Sequence, residues 1–351
     1  MLTYTLLPVL LLMNLVFGAI IKPSGDNTTS PAGSWTAVAP IAIKARQEHG
    51  AVQLDDDTIY IIGGIDPETN GTFPTVTTVQ RYSIEANVWT TVADLPIPLN
   101  HPNPAVVNGK IYVLGGLTIV NSSTTFWNAS GACFEYDPQS NTWTTIGELP
   151  EGRWTGSAAV GVSGSTVYLA GGLANTNLTN DEEGTLSIFT SYNVATKHFA
   201  VLADMPEPRD HAGVGLVANK LYVLGGRAYG HDNTKDTVFA YDLRNNSWTT
   251  GLASMPTARG GCASGVIGTQ IFTIGGEGDP DTASGVFPQN EAYNTATNTW
   301  ASYAPMDIPR HGTAGVAIGN KIYIPGGGLI KGGLPTNYTS YFQLPYHGST
   351  Y

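Results

Sequence analysis

Six stretches of this 351-residue chain set side chains able to move protons or hold ions directly behind a recurrent position that is mostly arginine. They are Arg46-Gln47-Glu48-His49, Leu99-Asn100-His101, Arg153-Trp154-Thr155, Arg209-Asp210-His211, Arg259-Gly260-Gly261 and Arg310-His311-Gly312, and they hold four of the seven histidines. Imidazole titrates near neutrality, so His211 beside Asp210, or His101 with Glu48, suits general acid–base work. His49, His101, His211 and His311 could also ligate a metal. They come from different stretches at different depths, so no dedicated metal site and no cofactor is expected. The repeated arginines either tie structural units together through backbone carbonyls or form an anion-binding ring. A Gly-x-Ser-x-Gly elbow is missing, which disfavours triad hydrolysis.

The elements that must position these residues are short strands. An apolar strand ending in Gly-Gly occurs six times, at Gly63, Gly115, Gly171, Gly225, Gly275 and Gly326, separated by 52, 56, 54, 50 and 51 residues. Between these pairs, Tyr82 precedes Trp89 by seven residues, and Tyr136–Trp143, Tyr241–Trp248 and Tyr293–Trp300 keep the same interval, with Tyr192–Phe199 as a variant. A period near 50 residues is that of a propeller blade. Strand, Gly-Gly, Tyr and Trp together resemble the kelch signature, from about Ser34 to Leu344. The resemblance implies an all-β, six-bladed kelch β-propeller, each repeat forming one four-stranded blade. In the last repeat Tyr341 stands at the tyrosine position and Gly348 where its Trp should follow. The missing strand is supplied by Ser34-Trp35-Thr36-Ala37-Val38, which completes the last blade and closes the ring, removing an open edge.

Alternating strand directions then place the six arginine-led stretches and the segments after each Gly pair on one face, around the mouth of the central channel. The longest of those segments, Leu117–Ala132 and Leu173–Ser187, read as variable loops of the kind that carry function. Asp66, Arg227, Tyr229 and Glu277 lie just after Gly pairs on the same face. A blade scaffold needs no such blade-specific polar residues there, so a small-molecule pocket is expected. Its expected catalytic groups are His101, Asp210, His211 and His311. Its expected ligand contacts are Arg46, Glu48, His49, Trp154, Arg209, Arg227, Arg259, Glu277 and Arg310.

Composition agrees with many short strands and tight turns. Glycine makes up 42 of 351 residues, about 12% against a usual ~7%. Charged residues are 12%, about half the usual ~25%. A net charge of −11 and the lack of a basic run argue against nucleic-acid binding. Residues Leu2 to Ile21 form an apolar run with small residues at Val16-Phe17-Gly18, read as a signal peptide over 1–18, then a linker over 19–33, the propeller over 34–345 and a tail over 346–351. No basic stop-transfer cluster follows, so a stable membrane span is not expected. Sequons at Asn27, Asn70, Asn121, Asn128, Asn177, Asn245 and Asn337 fit a secreted glycoprotein. Cys133 and Cys262 fall in opposite blades and read as two free thiols.

The mouth segments also resemble those of secreted kelch-like proteins of filamentous fungi, some encoded with secondary-metabolite pathways. That resemblance implies a step in polyketide processing, alone or beside other secreted enzymes. The family also contains copper-radical oxidases resembling galactose oxidase. They need tyrosine ligands in the mouth, and none of the six segments has one. Two functional classes remain. One is a small-molecule site acting as an isomerase, cyclase or accessory oxidative step. The other is a non-catalytic module that binds a glycan or protein through its loops, for which Trp127, Trp154 and Tyr229 would serve.

Overall fold

A computed structural model of the chain describes residues 32–67, 73–120, 125–177 and 183–345. The signal segment, most of the linker, the tail, and the sequons at Asn27, Asn70 and Asn121 lie outside the described residues. Six sheets form the blades of a six-bladed β-propeller. Blade 1 is typical: Gly50–Asp55, Thr58–Ile62, Val79–Ser83 and Val88–Thr91 pair antiparallel in that order from the channel outwards. The last blade runs Val316–Ile318, Lys321–Pro325, Thr339–Gln343 and then Ser34–Val38, so the N-terminal strand does close the ring.

The aromatic signature works by register. Tyr82 pairs directly with Trp89, and their rings sit 4.9 Å apart. Each tryptophan indole N–H also reaches a carbonyl some fifty residues earlier: Trp89 to Ala39, Trp143 to Ala93, Trp248 to Ala203 and Trp300 to Ala253. The outermost strand of one blade is thereby tied to the chain entering it. Trp35 makes the equivalent bond to Ala304, which identifies it as the missing sixth tryptophan. Its paired residue is Phe342 and not Tyr341, so the sequence register in the last repeat is corrected by one. Between blades lies the core: Tyr60, Ile62 and Val79 of blade 1 pack on Ile111, Val113 and Tyr136 of blade 2. Burying each such side chain contributes roughly 1.5–3 kcal/mol.

Glycine is required where one blade meets the next. In five of the six pairs the second glycine donates its N–H to the residue leading the next mouth segment: Gly64 to Leu99, Gly172 to Arg209, Gly226 to Arg259, Gly276 to Arg310 and Gly327 to Arg46. The paired glycines turn with positive φ, 66° and 106° at Gly275 and Gly276, and a Cβ on Gly276 would come within 2.7 Å of the Gly260 carbonyl.

The expected long loops are partly strands. Lys110–Ile119 and Thr125–Asp137 extend the hairpin of blade 2 beyond its sheet, and Leu173–Asn177 with Glu183–Thr185 join that extension. The hairpin Gly328–Ile330/Gly333–Pro335 rises from blade 6. These segments stand on the face that carries the mouth. Cys133 and Cys262 are both buried free thiols. Of the sequon asparagines, Asn128, Asn245 and Asn337 are exposed.

Candidate functional site at the channel mouth

The mouth segments share one backbone conformation. Equivalent residues Glu48, His101, Ser157, His211, Gly261 and Gly312 all have positive φ, between 47° and 65°, the blade 3 segment starting at Thr155 because Gly156 is bridged to Leu173. Backbone bonds link them around the channel: His101 N–H to Glu48, Ser157 to His101, Gly261 to His211, Gly312 to Gly261 and Glu48 to Gly312. Glycine adopts this turn freely, whereas other L-residues lose roughly 1–2 kcal/mol. Blades 5 and 6 use glycine. Blade 3 keeps Ser157, and blades 1, 2 and 4 keep a carboxylate and two imidazoles there despite the strain, as residues at functional sites often do.

Those three side chains converge. His101 Nε2 lies 3.0 Å from His211 Nε2 and 3.0 Å from Glu48 Oε2, and His211 Nε2 is 3.7 Å from the same oxygen. The far nitrogens are held from behind, His101 Nδ1 by Asn100 Oδ1 at 2.5 Å and His211 Nδ1 by Asp210 Oδ1 at 2.7 Å. Oxygens that can only accept must receive an N–H, so both rings carry hydrogen on Nδ1 and turn Nε2 inwards. Asp210 is in turn fixed by the Thr185 hydroxyl at 2.5 Å.

Arg227 organises the rest. Its guanidinium meets Glu277 at 2.6 Å, Asp210 at 3.2 Å and Glu183 at 3.4 Å, all buried. Its Nη2 is 2.7 Å from Nδ1 and 3.1 Å from Nε2 of His211. A donor that close to both nitrogens of one ring lies over its face and not along either lone pair. His311 donates Nε2–H to Ile330 carbonyl at 2.8 Å and turns Nδ1 to Glu277 at 3.2 Å. Trp127 lies beside His101, with ring centres 5.6 Å apart.

Burial and neighbours set the charges. Burial, then the guanidinium of Arg227, push His211 below the ordinary imidazole range. Burial alone would raise Glu48, but His101, His211 and His311 outweigh it and hold that carboxyl well below its usual range. Glu277 is likewise held at about 2, His311 and Arg227 overcoming burial. Burial raises Glu183.

Below the cluster the innermost strands enclose a cavity of about 440 Å3. Glu48, His101 and His211 line it together with Val52, Val106, Val160, Val214, Leu216, Val266 and Val316. It is an apolar-walled channel with convergent polar groups among its lining, the usual make-up of a small-molecule pocket.

The structure thus brings together Glu48, His101, Asp210, His211, Arg227, Glu277 and His311. It also adds Asn100, Thr185 and Glu183. Asn100 and Thr185 orient the residues that the sequence singled out, and only Asn100 carried a signal, as part of a mouth segment. The repeated arginines are placed elsewhere. Arg46, Arg209, Arg259 and Arg310 are buried and turn into their own blades. Arg46 bonds the Thr78 carbonyl, Arg259 the Gly275 and Thr273 carbonyls, Arg310 Ser340, and Arg209 Glu207 and Thr237. They hold blades together, so the reading of them as an anion ring is corrected. In blade 3 the register residue is Thr155, because Gly156 is the residue bridged to Leu173. Arg153 instead meets Asp204 at 2.5 Å near the surface. Trp154 is half-exposed and donates its N–H to Leu149, outside the cluster. His49 is buried against the backbone of blade 6 near Gly326, and burial and Arg46 lower it to about 3. The four mouth histidines therefore do not meet at one point.

Residues 105–327 match the KLHDC2/KLHL20/DRC7 Kelch-repeats domain. Over 344 residues the chain is 45% identical to the Kelch-like protein terF of Aspergillus terreus, covering 95% of this chain and 74% of that protein. It is 30% identical over 229 residues to Kelch-like protein 25 of Xenopus tropicalis, covering 63% of this chain but only 35% of that longer protein. The solved "Structure of YjhT" overlays with a TM-score of 0.70 at 16% identity, covering 86% of this chain and 95% of that one, a likeness of fold.

Proposed function

The chain belongs to the kelch-repeat family, and on that scaffold we propose that it binds a small molecule in the central channel and moves a proton on it, as an isomerase or cyclase does. The observation that carries this is the convergence of Glu48, His101 and His211 on the lining of an otherwise largely apolar cavity. Apolar walls would take the carbon skeleton, and the polar cluster a carbonyl, enol or hydroxyl. An ionised Glu48 is the natural base, and an imidazole with its Nδ1–H fixed is a relay for the proton taken. The strain retained at four of six equivalent turns, three of them bearing the converging side chains, supports a role for those three beyond folding.

Export also belongs to this proposal. It rests on the apolar leader and on Asn128, Asn245 and Asn337, whose side chains are exposed. No helix among the described residues is long and apolar enough to cross a membrane. A fungal secondary-metabolite substrate is the class suggested by the mouth segments, and the likeness to an Aspergillus protein fits a fungal setting. Docking of a glycan or protein on the capped face is the second reading. Trp154, 42% exposed, and Tyr229, 59% exposed, favour it.

The test is to incubate the purified chain with culture extract of the producing organism and follow all species by liquid chromatography and mass spectrometry. Wild type should deplete one species and form its isomer of equal mass. The H101A/H211A/H311A variant should do neither while keeping its circular dichroism. Equal conversion by both would sink the site, and no conversion by wild type would favour the binding module.

A further inference from the structure

We propose that Glu48, His101 and His211 form a binding site for one first-row divalent cation of the zinc or iron(II) type. This goes beyond the proposed reaction and stands without it. Among the described residues, one oxygen of Glu48 and one nitrogen from each histidine come within 4.8 Å of one another. Glu48 Oε2, His101 Nε2 and His211 Nε2 form a triangle with edges of 3.0, 3.0 and 3.7 Å. Ligand atoms about 2.0–2.1 Å from a tetrahedral ion stand about 3.3 Å apart, so a point at bonding distance from all three exists.

Positive charge is favoured at that point. Asn100 and Asp210 fix hydrogen on both Nδ1 atoms, so two inward Nε2 atoms and a carboxylate oxygen face one another at one point. A proton or a metal ion must sit between them, and only a metal ion is held by all three at once. An Asn or Asp oxygen behind each imidazole is also the partner that orients metal-bound histidines. Formal charge points the same way: Glu48, Glu183, Asp210 and Glu277 surround the single guanidinium of Arg227 in a buried site, with His311 and, at its edge, His231 as the nearby imidazoles. Two histidines and one carboxylate suit zinc or non-haem iron and leave further coordination positions open, and the same three residues line the cavity.

Cobalt(II) is the probe, because its visible absorption reports nitrogen and oxygen ligands at a tetrahedral or five-coordinate site. The full chain, stripped with EDTA and dialysed, should take up one equivalent of Co2+, compete for it with Zn2+, and melt at higher temperature with either. E48Q should weaken binding at least about 100-fold, and H101Q/H211Q should abolish it. D210N, which only loosens the His211 ring, should cost 10–100-fold. Fold is checked in each variant by its metal-free melting curve. Less than a tenth of an equivalent bound by wild type means that protons alone fill the site and overturns the proposal. Uptake by H101Q/H211Q equal to wild type also overturns it. Metal uptake without conversion overturns the proposed reaction and leaves the site standing.

Discussion

Gly261 and Gly312 occupy equivalent turns of neighbouring blades, with φ of 65° and 58°, yet an added methyl would meet different things. At Gly261 the nearest atoms are Gly312 N at 3.4 Å and His311 Cβ at 3.6 Å, ordinary contact. At Gly312 the methyl would overlap the Glu48 carboxylate, with Cδ at 2.7 Å and Oε1 nearer still. G261A therefore loses only the left-handed backbone preference, about 1–2 kcal/mol. G312A loses the same and also pushes the carboxylate off His101, a charge-assisted contact of about 1.5–3 kcal/mol. With an unfolding entropy of about 2.1 cal/mol/K per residue, 1–2 kcal/mol lowers the melting temperature of a propeller this size by about 1.5–3 °C. Melting curves, together with isomer formation in culture extract, form the assay. G261A should be slightly less stable and active, and G312A inactive although still folded. If both retain activity, or both lose it equally, the position of the Glu48 carboxylate does not govern function and the reasoning fails.

Removing the guanidinium in R227Q strands buried Glu277, Asp210 and Glu183 and should cost about 3–5 kcal/mol, read as a lower urea midpoint. Glu277 is held at about 2 in the fold against 4.5 when exposed, so its contribution is complete above pH 4.5 and lost as pH falls towards 2. Roughly 3 kcal/mol should drain away over that window, and E277Q should show a flatter acid limb in urea titrations at pH 5 and 2.5. Cys133, pushed up to about 12 by burial, and Cys262 are free. A thiol reagent should find about no reactive group in the native chain and two after denaturation. None in denaturant would mean a disulfide.

The periodic features of the fold were legible because each does a job every blade repeats. Gly-Gly is needed wherever the second strand passes under the next mouth segment, and Tyr pairs with Trp across the outer strands. Tyr82, Tyr136 and Tyr293 also bond Asn87, Asn141 and Asn298, which turn with positive φ just before each Trp. Counting went astray where the repeat stretches. The register residue lies sixteen positions before the first glycine in five blades, and seventeen in blade 1, where the strand Gly50–Asp55 shifts register between Gln53 and Asp55. Allowing eighteen led to Arg153, whereas sixteen leads to Thr155. Arginine type alone could not tell a blade tie from a ligand contact, since a long side chain can turn either way from the same backbone position. Glu183 comes from a strand that joins the extension shared by blades 2 and 3, and Thr185 holds the position of Thr75, Thr234 and Val286 in other blades, where residue type alone does not announce a contact to Asp210. Glu48, His101 and His211 were visible as residues; their meeting at one point depends on three turns that only the ring of blades sets.

Native mass spectrometry of the protein held in its producing organism's culture extract bears most directly on the central claim. The account predicts a single small-molecule adduct on wild type that is missing from E48Q of equal native charge distribution. The same adduct on both proteins would contradict it.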